Sequence, residues 1–374
     1  MTAILRSQSP TAPVNPRLRT WRRFAELLAL SVAIAGTAAI AQHTATQIDE
    51  QRFSAPGERV TVGEHRLHLH HTGTEHTGPT VILEAGLGGF SAQWGWIQPA
   101  VAEFAPVVSY DRAGLGWSDP SDQPTDAAHV ADDLHRALKA ANIPGPYVLV
   151  GHSLGGLHVR MFADRYPDDV AGVVLVDTIE DVWEYAPDGT ISEVQTFQRL
   201  MQAVPFLARF GVLRVVNPYS SQLADLPEAQ RQSAKAFYTS VDHLQALRRE
   251  LPQQMPNSSS ILQVKQTEDL GDTPLVVLSR TEPQDPLTQA HHHSHAALAE
   301  LSSQGQHRLV SGADHFSLMT NPDHAQQVTQ AIREVMALGD QPDLANSESP
   351  RSQPCVAISP AAVANAAATC MTAY

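Results

Sequence analysis

The stretch Tyr147-Val148-Leu149-Val150-Gly151-His152-Ser153-Leu154-Gly155-Gly156 limits the fold more than any other part of the chain. Apolar, β-prone residues run into Gly-His-Ser-Leu-Gly, and helical spacing from Leu157 to Tyr166 follows at once. A strand, a sharp turn and a helix form the setting in which a serine hydroxyl is held clear of the backbone as a nucleophile. The turn strains the serine backbone and brings the positions two residues to either side too close for a side chain, which accounts for Gly151 and Gly155. Leu154 opens the helix, so its N–H is one of the first-turn donors without a partner in the ladder and is free to bind a developing oxyanion. A bare G-x-S-x-G recurs by chance, and the flanking strand and helix are what give this one meaning.

The surrounding pattern implies an α/β architecture. Thr80–Glu84, Val170–Val176 and Pro274–Ser279 are continuous apolar runs of the kind found in parallel strands buried on both faces. Helical patterns at 126–141 and 286–301 alternate with them, which predicts a doubly wound, mostly parallel sheet. Arg59–Val62 and Arg66–His70 alternate polar with apolar and read as an antiparallel hairpin at a sheet edge. His65, His68, His70 and His71 are then expected on its solvated face. Residues 179–272 break the rhythm, with helical patterns at 194–207 and 234–251, and are expected to be a helical insertion after the sixth strand. Leu200, Met201, Phe206, Leu207 and Phe210 would form its own core or line a pocket. The domain reading is thus a first core part at 59–178, the insertion at 179–272 and a second core part at 273–338.

Composition excludes several functions. A formal charge of −14 opposes a nucleic-acid partner. The two cysteines, Cys355 and Cys370, lie in a Pro/Ser/Ala-rich tail at 339–374 that is expected to be disordered, so the core has no thiol nucleophile or cysteine metal site. His291 and His295 have i,i+4 spacing, but no further ligand completes a metal set, and a solvated helix face is the expected reading. At the N-terminus, a basic region at 1–23 with Arg17, Arg19, Arg22 and Arg23 precedes an apolar segment at 24–42, and 43–58 reads as a polar spacer. Ala39-Ile40-Ala41 resembles a cleavage site, so a signal peptide and an anchor are both readings of this segment, the anchor being favoured. Either one delivers the rest of the chain out of the cytoplasm.

The glycine-rich loop Ala85-Gly86-Leu87-Gly88-Gly89 follows a strand and has two readings. As a dinucleotide site it lacks the third glycine, since Ser91 stands there. As an oxyanion loop it offers the N–H of Leu87 beside that of Leu154, and Ser153 downstream favours this reading. Together, Leu83-Glu84-Ala85-Gly86-Leu87-Gly88, Trp94, Tyr110-Asp111-Arg112-Ala113-Gly114-Leu115-Gly116-Trp117-Ser118-Asp119 and Gly151 to Gly156 resemble the α/β-hydrolase superfamily, in its esterase, lipase and proline-iminopeptidase-like branch. The resemblance covers roughly 60–336 and implies a mobile helical cap over the site. Ala85-Gly86 departs from the His-Gly this branch often carries, which keeps the backbone donor and loses any histidine contact. Asp111 and Arg112 read as braces for the loop to Ser118, and Trp94, Trp96 and Trp117 as packing.

A serine hydroxyl needs a base. His315, in a loop after the final strand, is expected to supply it, while His152 is too near in sequence and reads as pocket wall. For the acid, Asp177 ends the strand after the nucleophile strand. Asp285 occupies the loop where the resembled superfamily usually carries its acid, yet Asp285-Pro286 is also a helix N-cap arrangement. Asp177 is preferred, with Asp285 the alternative and Glu282 third. The expected chemistry is acyl transfer from a small ester-like substrate to water, with no metal or organic cofactor. Ser153 excludes the aspartate-nucleophile chemistry of haloalkane dehalogenases and epoxide hydrolases. Peptidase, thioesterase and C–C bond hydrolase activities, or a non-catalytic ligand-binding receptor on the same fold, are the alternatives.

Overall fold

The computed structural model describes residues 16–179, 182–267 and 269–339. Eight strands form one sheet: β1 (Glu58–Val62), β2 (His65–Thr72), β3 (Thr80–Glu84), β4 (Val107–Asp111), β5 (Tyr147–His152), β6 (Val170–Val176), β7 (Leu275–Arg280) and β8 (Gly305–Val310). Their spatial order is β1-β2-β4-β3-β5-β6-β7-β8. β1 and β2 are antiparallel to each other and β2 to β4, whereas β4, β3, β5, β6, β7 and β8 are parallel throughout. The doubly wound, mostly parallel sheet expected from the apolar runs is therefore present, with the hairpin at one edge.

Alternation along each strand divides the core between two faces. Ile82, Leu149, Val173, Leu175 and Val277 pack on one side against α3 (Ala127–Ala140) and α4 (Gly155–Arg165). Val81, Leu83, Val148, Val150, Val174 and Val176 pack on the other against α2 (Ile97–Ala102) and α14 (Pro322–Gly339). Each fully buried Val, Leu or Ile in these layers contributes about 1.5–3 kcal/mol, which is why the unbroken apolar runs become central strands. α1 (Pro16–Arg52) precedes the sheet; α12 (Pro286–Ala299) and α13 (Ser317–Thr320) lie beyond β7.

Between β6 and β7 the described residues hold α5 (Val182–Tyr185), α6 (Thr190–Met201), α7 (Val204–Ala208), α8 (Val212–Val215), α9 (Glu228–Phe237), α10 (Val241–Glu250) and α11 (Ser259–Val264). This is the helical insertion after the sixth strand. The single pattern read at 234–251 is two helices, because Ser240 accepts a hydrogen bond from the His243 N–H and caps a new one. The insertion seats on the core through Leu223, Leu226, Tyr238 and Ala246, which pack against Phe90 and Leu115.

Two expectations fail for the same reason, that tertiary contact covers what local polarity suggested was exposed. His65 and His68 are buried: β2 lies inside the edge, and His68 bonds Asp111 Oδ2 at 2.9 Å and the Pro56 carbonyl at 2.6 Å. His291 and His295 are also buried, on the face of α12 turned to β6 and β7. The spacer read at 43–58 is helical as far as Arg52, and Gln42 is buried against the insertion, where its Nε2 donates to the Thr239 carbonyl at 3.0 Å. The tail with Cys355 and Cys370 lies outside the described residues apart from Gly339, which ends α14.

Candidate active site

Ser153 stands at the end of β5 with φ at +53°, the left-handed conformation that the turn demands. The glycines explain themselves by what a side chain would meet: a Cβ at Gly151 would lie 2.6 Å from the Gly155 carbonyl oxygen, and one at Gly155 would lie 2.6 Å from the Glu84 carbonyl oxygen. His315, in the loop between β8 and α13, brings Nε2 to 3.0 Å from Ser153 Oγ. Its Nδ1 lies 2.6 Å from Asp177 Oδ2, so the N–H on Nδ1 donates to the carboxylate and leaves Nε2 as the acceptor for the serine hydroxyl. Asp177 is fully buried, sits one residue past β6 and also has a positive φ, +45°.

Burial alone would push the Asp177 carboxyl up. The hydrogen bond from His315 and the Arg280 guanidinium outweigh it and hold the group well below the usual carboxylate range. Arg280 is a partner that no local pattern singles out. Its Nη1 donates to Asp177 Oδ2 at 2.6 Å and its backbone N–H to Oδ1 at 3.2 Å. His152 does more than form a wall: its Nε2–H donates to the His315 carbonyl at 2.9 Å and fixes the loop that carries that histidine. Asp285 caps α12 by accepting from the Thr288 N–H at 2.7 Å, and Glu282 accepts from Gln284; neither bonds His315.

Leu87 lies opposite the elbow. A Cβ at the preceding Gly86 would sit 3.0 Å from Ser153 Cβ, so the loop passes hard against the serine. Arg112 holds that loop by donating to the Ala85 and Gly86 carbonyls, both at 2.7 Å, and pairs with Glu84 below and Glu250 of α10 above. Glu250 also accepts the Gly88 N–H at 2.9 Å. The helical insertion is thereby tied to the loop by a buried ion network, and Arg112 braces this loop, while Asp111 braces the one to Ser118. Glu250→Ala is expected to cost about 3 kcal/mol, since it removes one carboxylate from a buried cation that keeps its other. Urea denaturation reads the loss, and Glu250→Gln, which can still accept the Gly88 N–H, should recover part of it.

Above Ser153 lies a cavity of about 480 Å³, within the usual range for small-molecule sites. Gly86, Leu87, His152 and His315 line its floor; Phe197, Met201, Leu223, Leu247 and Leu251 of the insertion form its walls. Of the five apolar residues considered for core or pocket, Met201 lines it, Phe210 is half-buried outside it, and Leu200, Phe206 and Leu207 are exposed. None of Trp94, Trp96 and Trp117 lines it: Trp94 is buried, Trp117 packs against the Phe90 cluster and Trp96 is exposed. The buried trio Asp177, His291 and His295 has its ligand atoms within 4.8 Å of one another. A cation fits it poorly, because Arg280 already stands on the carboxylate and both ring nitrogens of His295 bond, to Ser279 Oγ and to the Thr178 carbonyl.

Buried histidines set an acid limit on the fold. Burial, reinforced by His315, lowers His152 to about 3; burial lowers His243 to about 4 and His291 to about 2. From the ordinary value of 6.5 downward, the unfolded chain takes up protons that these folded rings refuse. Their contribution is intact above pH 6.5 and is lost as pH falls towards the folded values, by at most about 1.4 kcal/mol per pH unit for each ring. The urea midpoint should therefore drop steeply between about pH 6.5 and about pH 4. A flat profile there would contradict three neutral buried rings.

A family model described as alpha/beta hydrolase fold matches residues 79–322, a span that holds Ser153, Asp177, His315 and both candidate oxyanion donors. The chain belongs to the alpha/beta hydrolase fold family. Among solved members of this fold, an esterase from Thermogutta terrifontis aligns over 76% of this chain and 100% of its own, with a TM-score of 0.54 at 22% identity. The epoxide hydrolase CorEH aligns over 75% and 98%, with a TM-score of 0.61 at 16% identity. At such identities the likeness is one of fold. A curated relative, "Probable transporter efuK" of Hormonema carpetanum, is 34% identical over 152 residues, which are 39% of this chain. The match spans about a fifth of that relative, 21% of its length.

Proposed function

We propose that this chain is a serine hydrolase that cleaves an ester-like carbonyl through an acyl-enzyme. The observation that carries the reading is the hydrogen-bonded line Asp177–His315–Ser153 at the floor of an apolar cavity. Ser153 Oγ attacks the carbonyl carbon while its proton passes to His315 Nε2. The Leu87 and Leu154 N–H groups receive the oxyanion, donors of a kind worth about 2.7–4 kcal/mol each in the transition state. Asp177 stays ionised, fixes the imidazole tautomer and stabilises the imidazolium. The tetrahedral intermediate collapses, the C–O bond to the leaving group breaks, and His315 returns the proton to the departing alkoxide. Water then gives a proton to His315 and attacks the acyl carbon, releasing the acid and restoring the Ser153 hydroxyl. A serine at the elbow favours this route over the aspartate ester used in epoxide opening.

The same reading places the enzyme on a membrane. Supporting it, α1 runs unbroken for 37 residues, reaches a mean hydropathy of 1.9 over its most apolar eighteen, and none of that window is buried. Basic residues precede the apolar run, so the catalytic part would lie outside the cytoplasm. The full chain should cleave p-nitrophenyl esters and stay in the pellet after carbonate extraction. Comparing matched ester, thioester and amide substrates ranks the competing acyl-transfer readings, and a chain that turns over none of them would contradict the proposal.

A further inference from the structure

The last third of α1 is locked to the insertion at the point where its apolar run ends. Gln42 directly follows that run, and its Oε1 accepts from Arg214 Nε at 2.8 Å. Arg214 of α8 also pairs with Asp49 at 2.6 Å, and Arg52 bonds Gln232 of α9 at 3.2 Å. From Ala41 to Asp49 the helix rises only about 12 Å. A span that ends at Ala41 therefore holds α8 at the bilayer surface, with no linker to let it move away.

The surface held there is apolar. Of thirteen large hydrophobic side chains exposed outside α1 among the described residues, eight fall between Ile191 and Val216. Water-facing helices have no reason to concentrate them so. Val215 and Val216, beside Arg214, are 86% and 64% exposed, and Phe206 of α7 is 59% exposed. Phe197 of α6 is half-exposed and also lines the cavity over Ser153, so the apolar surface continues into the cavity wall.

From this juxtaposition we infer that the face made by α6, α7 and α8 lies in the headgroup layer of the membrane that α1 crosses, and that the cavity takes lipophilic esters from the bilayer. The inference rests on the hydrolase and anchor readings above. An ester with a long acyl chain is concentrated in the bilayer, and a mouth immersed at its surface spares that chain a passage through water.

The test uses the full chain in phosphatidylcholine vesicles. In a background with Cys355→Ser and Cys370→Ser, an environment-sensitive fluorophore is attached at Val215→Cys or, as control, at Leu309→Cys on β8, an exposed site. The label at 215 should shift to the blue and be quenched by lipids carrying a nitroxide near the headgroup, and the label at 309 should do neither. Equal, water-like emission at both sites overturns the proposal without touching the hydrolase reading. Activity supplies the second arm. Val215→Asp with Val216→Asp should leave hydrolysis of water-soluble p-nitrophenyl acetate within about twofold and cut hydrolysis of vesicle-borne p-nitrophenyl palmitate at least about tenfold. Equal retention of both activities overturns substrate entry from the bilayer. Failure of the unsubstituted chain on both esters overturns the hydrolase reading instead.

Discussion

Replacing Ser153 with alanine should abolish ester turnover, with a loss in kcat on the order of 10⁴- to 10⁶-fold, and should eliminate covalent labelling by a fluorophosphonate. The size follows from the mechanism: without Oγ there is no acyl-enzyme, and the oxyanion donors and cavity can only favour direct attack by water. Folding does not confound the result. Ser153 has φ at +53°, where alanine is strained by about 1–2 kcal/mol and glycine is not. Ser153→Gly should therefore be equally inactive while at least as stable as the parent in urea. Persistent turnover or labelling in a well-folded Ser153→Gly variant would remove Ser153 as nucleophile.

The second large effect concerns the acid. Asp177→Asn should lower kcat by about 10⁴-fold, because an amide neither enforces the His315 tautomer nor stabilises the imidazolium. Asparagine tolerates the left-handed backbone that Asp177 adopts, so the substitution tests charge more than conformation. Asp285→Asn makes the contrast. Asparagine caps a helix as well as aspartate does, and Asp285 is bonded to the Thr288 N–H, not to His315. Its activity should stay within about threefold of the parent, with stability changed by a few tenths of a kcal/mol. If the two variants exchanged these outcomes, the acid would be Asp285 and the geometry at Asp177 would be that of a structural ion pair with Arg280.

Sequence pattern alone does not separate the two candidate acids, for a physical reason. Asp177 and Asp285 follow adjacent strands, and both could reach toward the same end of the sheet. What separates them is backbone conformation: the turn after Val176 takes φ to +45° and aims Asp177 at His315, while Asp285, at φ −130° and followed by Pro286, caps a helix. Arg280 and Glu250 were not visible at all. Each acts across more than a hundred residues of chain, on Asp177 and Arg112 respectively, and no local pattern marks a buried charge that has found its partner.

The histidines show the same limit from the other side. On polar-looking stretches His68 and His295 read as solvated, yet both are fully buried, because Asp111 in one case and Ser279 with the Thr178 carbonyl in the other satisfy their rings. Hydrophobic periodicity reports the average polarity of a face and cannot register a polar side chain whose hydrogen bonds are supplied by a distant strand.

By itself the sequence determined the parallel sheet, the bend that presents Ser153 and the long apolar helix at the N-terminus, since each follows from short-range pattern: unbroken apolar runs, glycines at fixed offsets, and hydropathy over one helix length. Only the tertiary structure decided which carboxylate meets His315, how Glu250 ties the insertion to the glycine loop at 85–89, and that Gln42 to Arg52 clasps α8 and α9. Those outcomes depend on where charged and polar groups can shed water against one another, and that is settled by the packing of segments far apart in the chain.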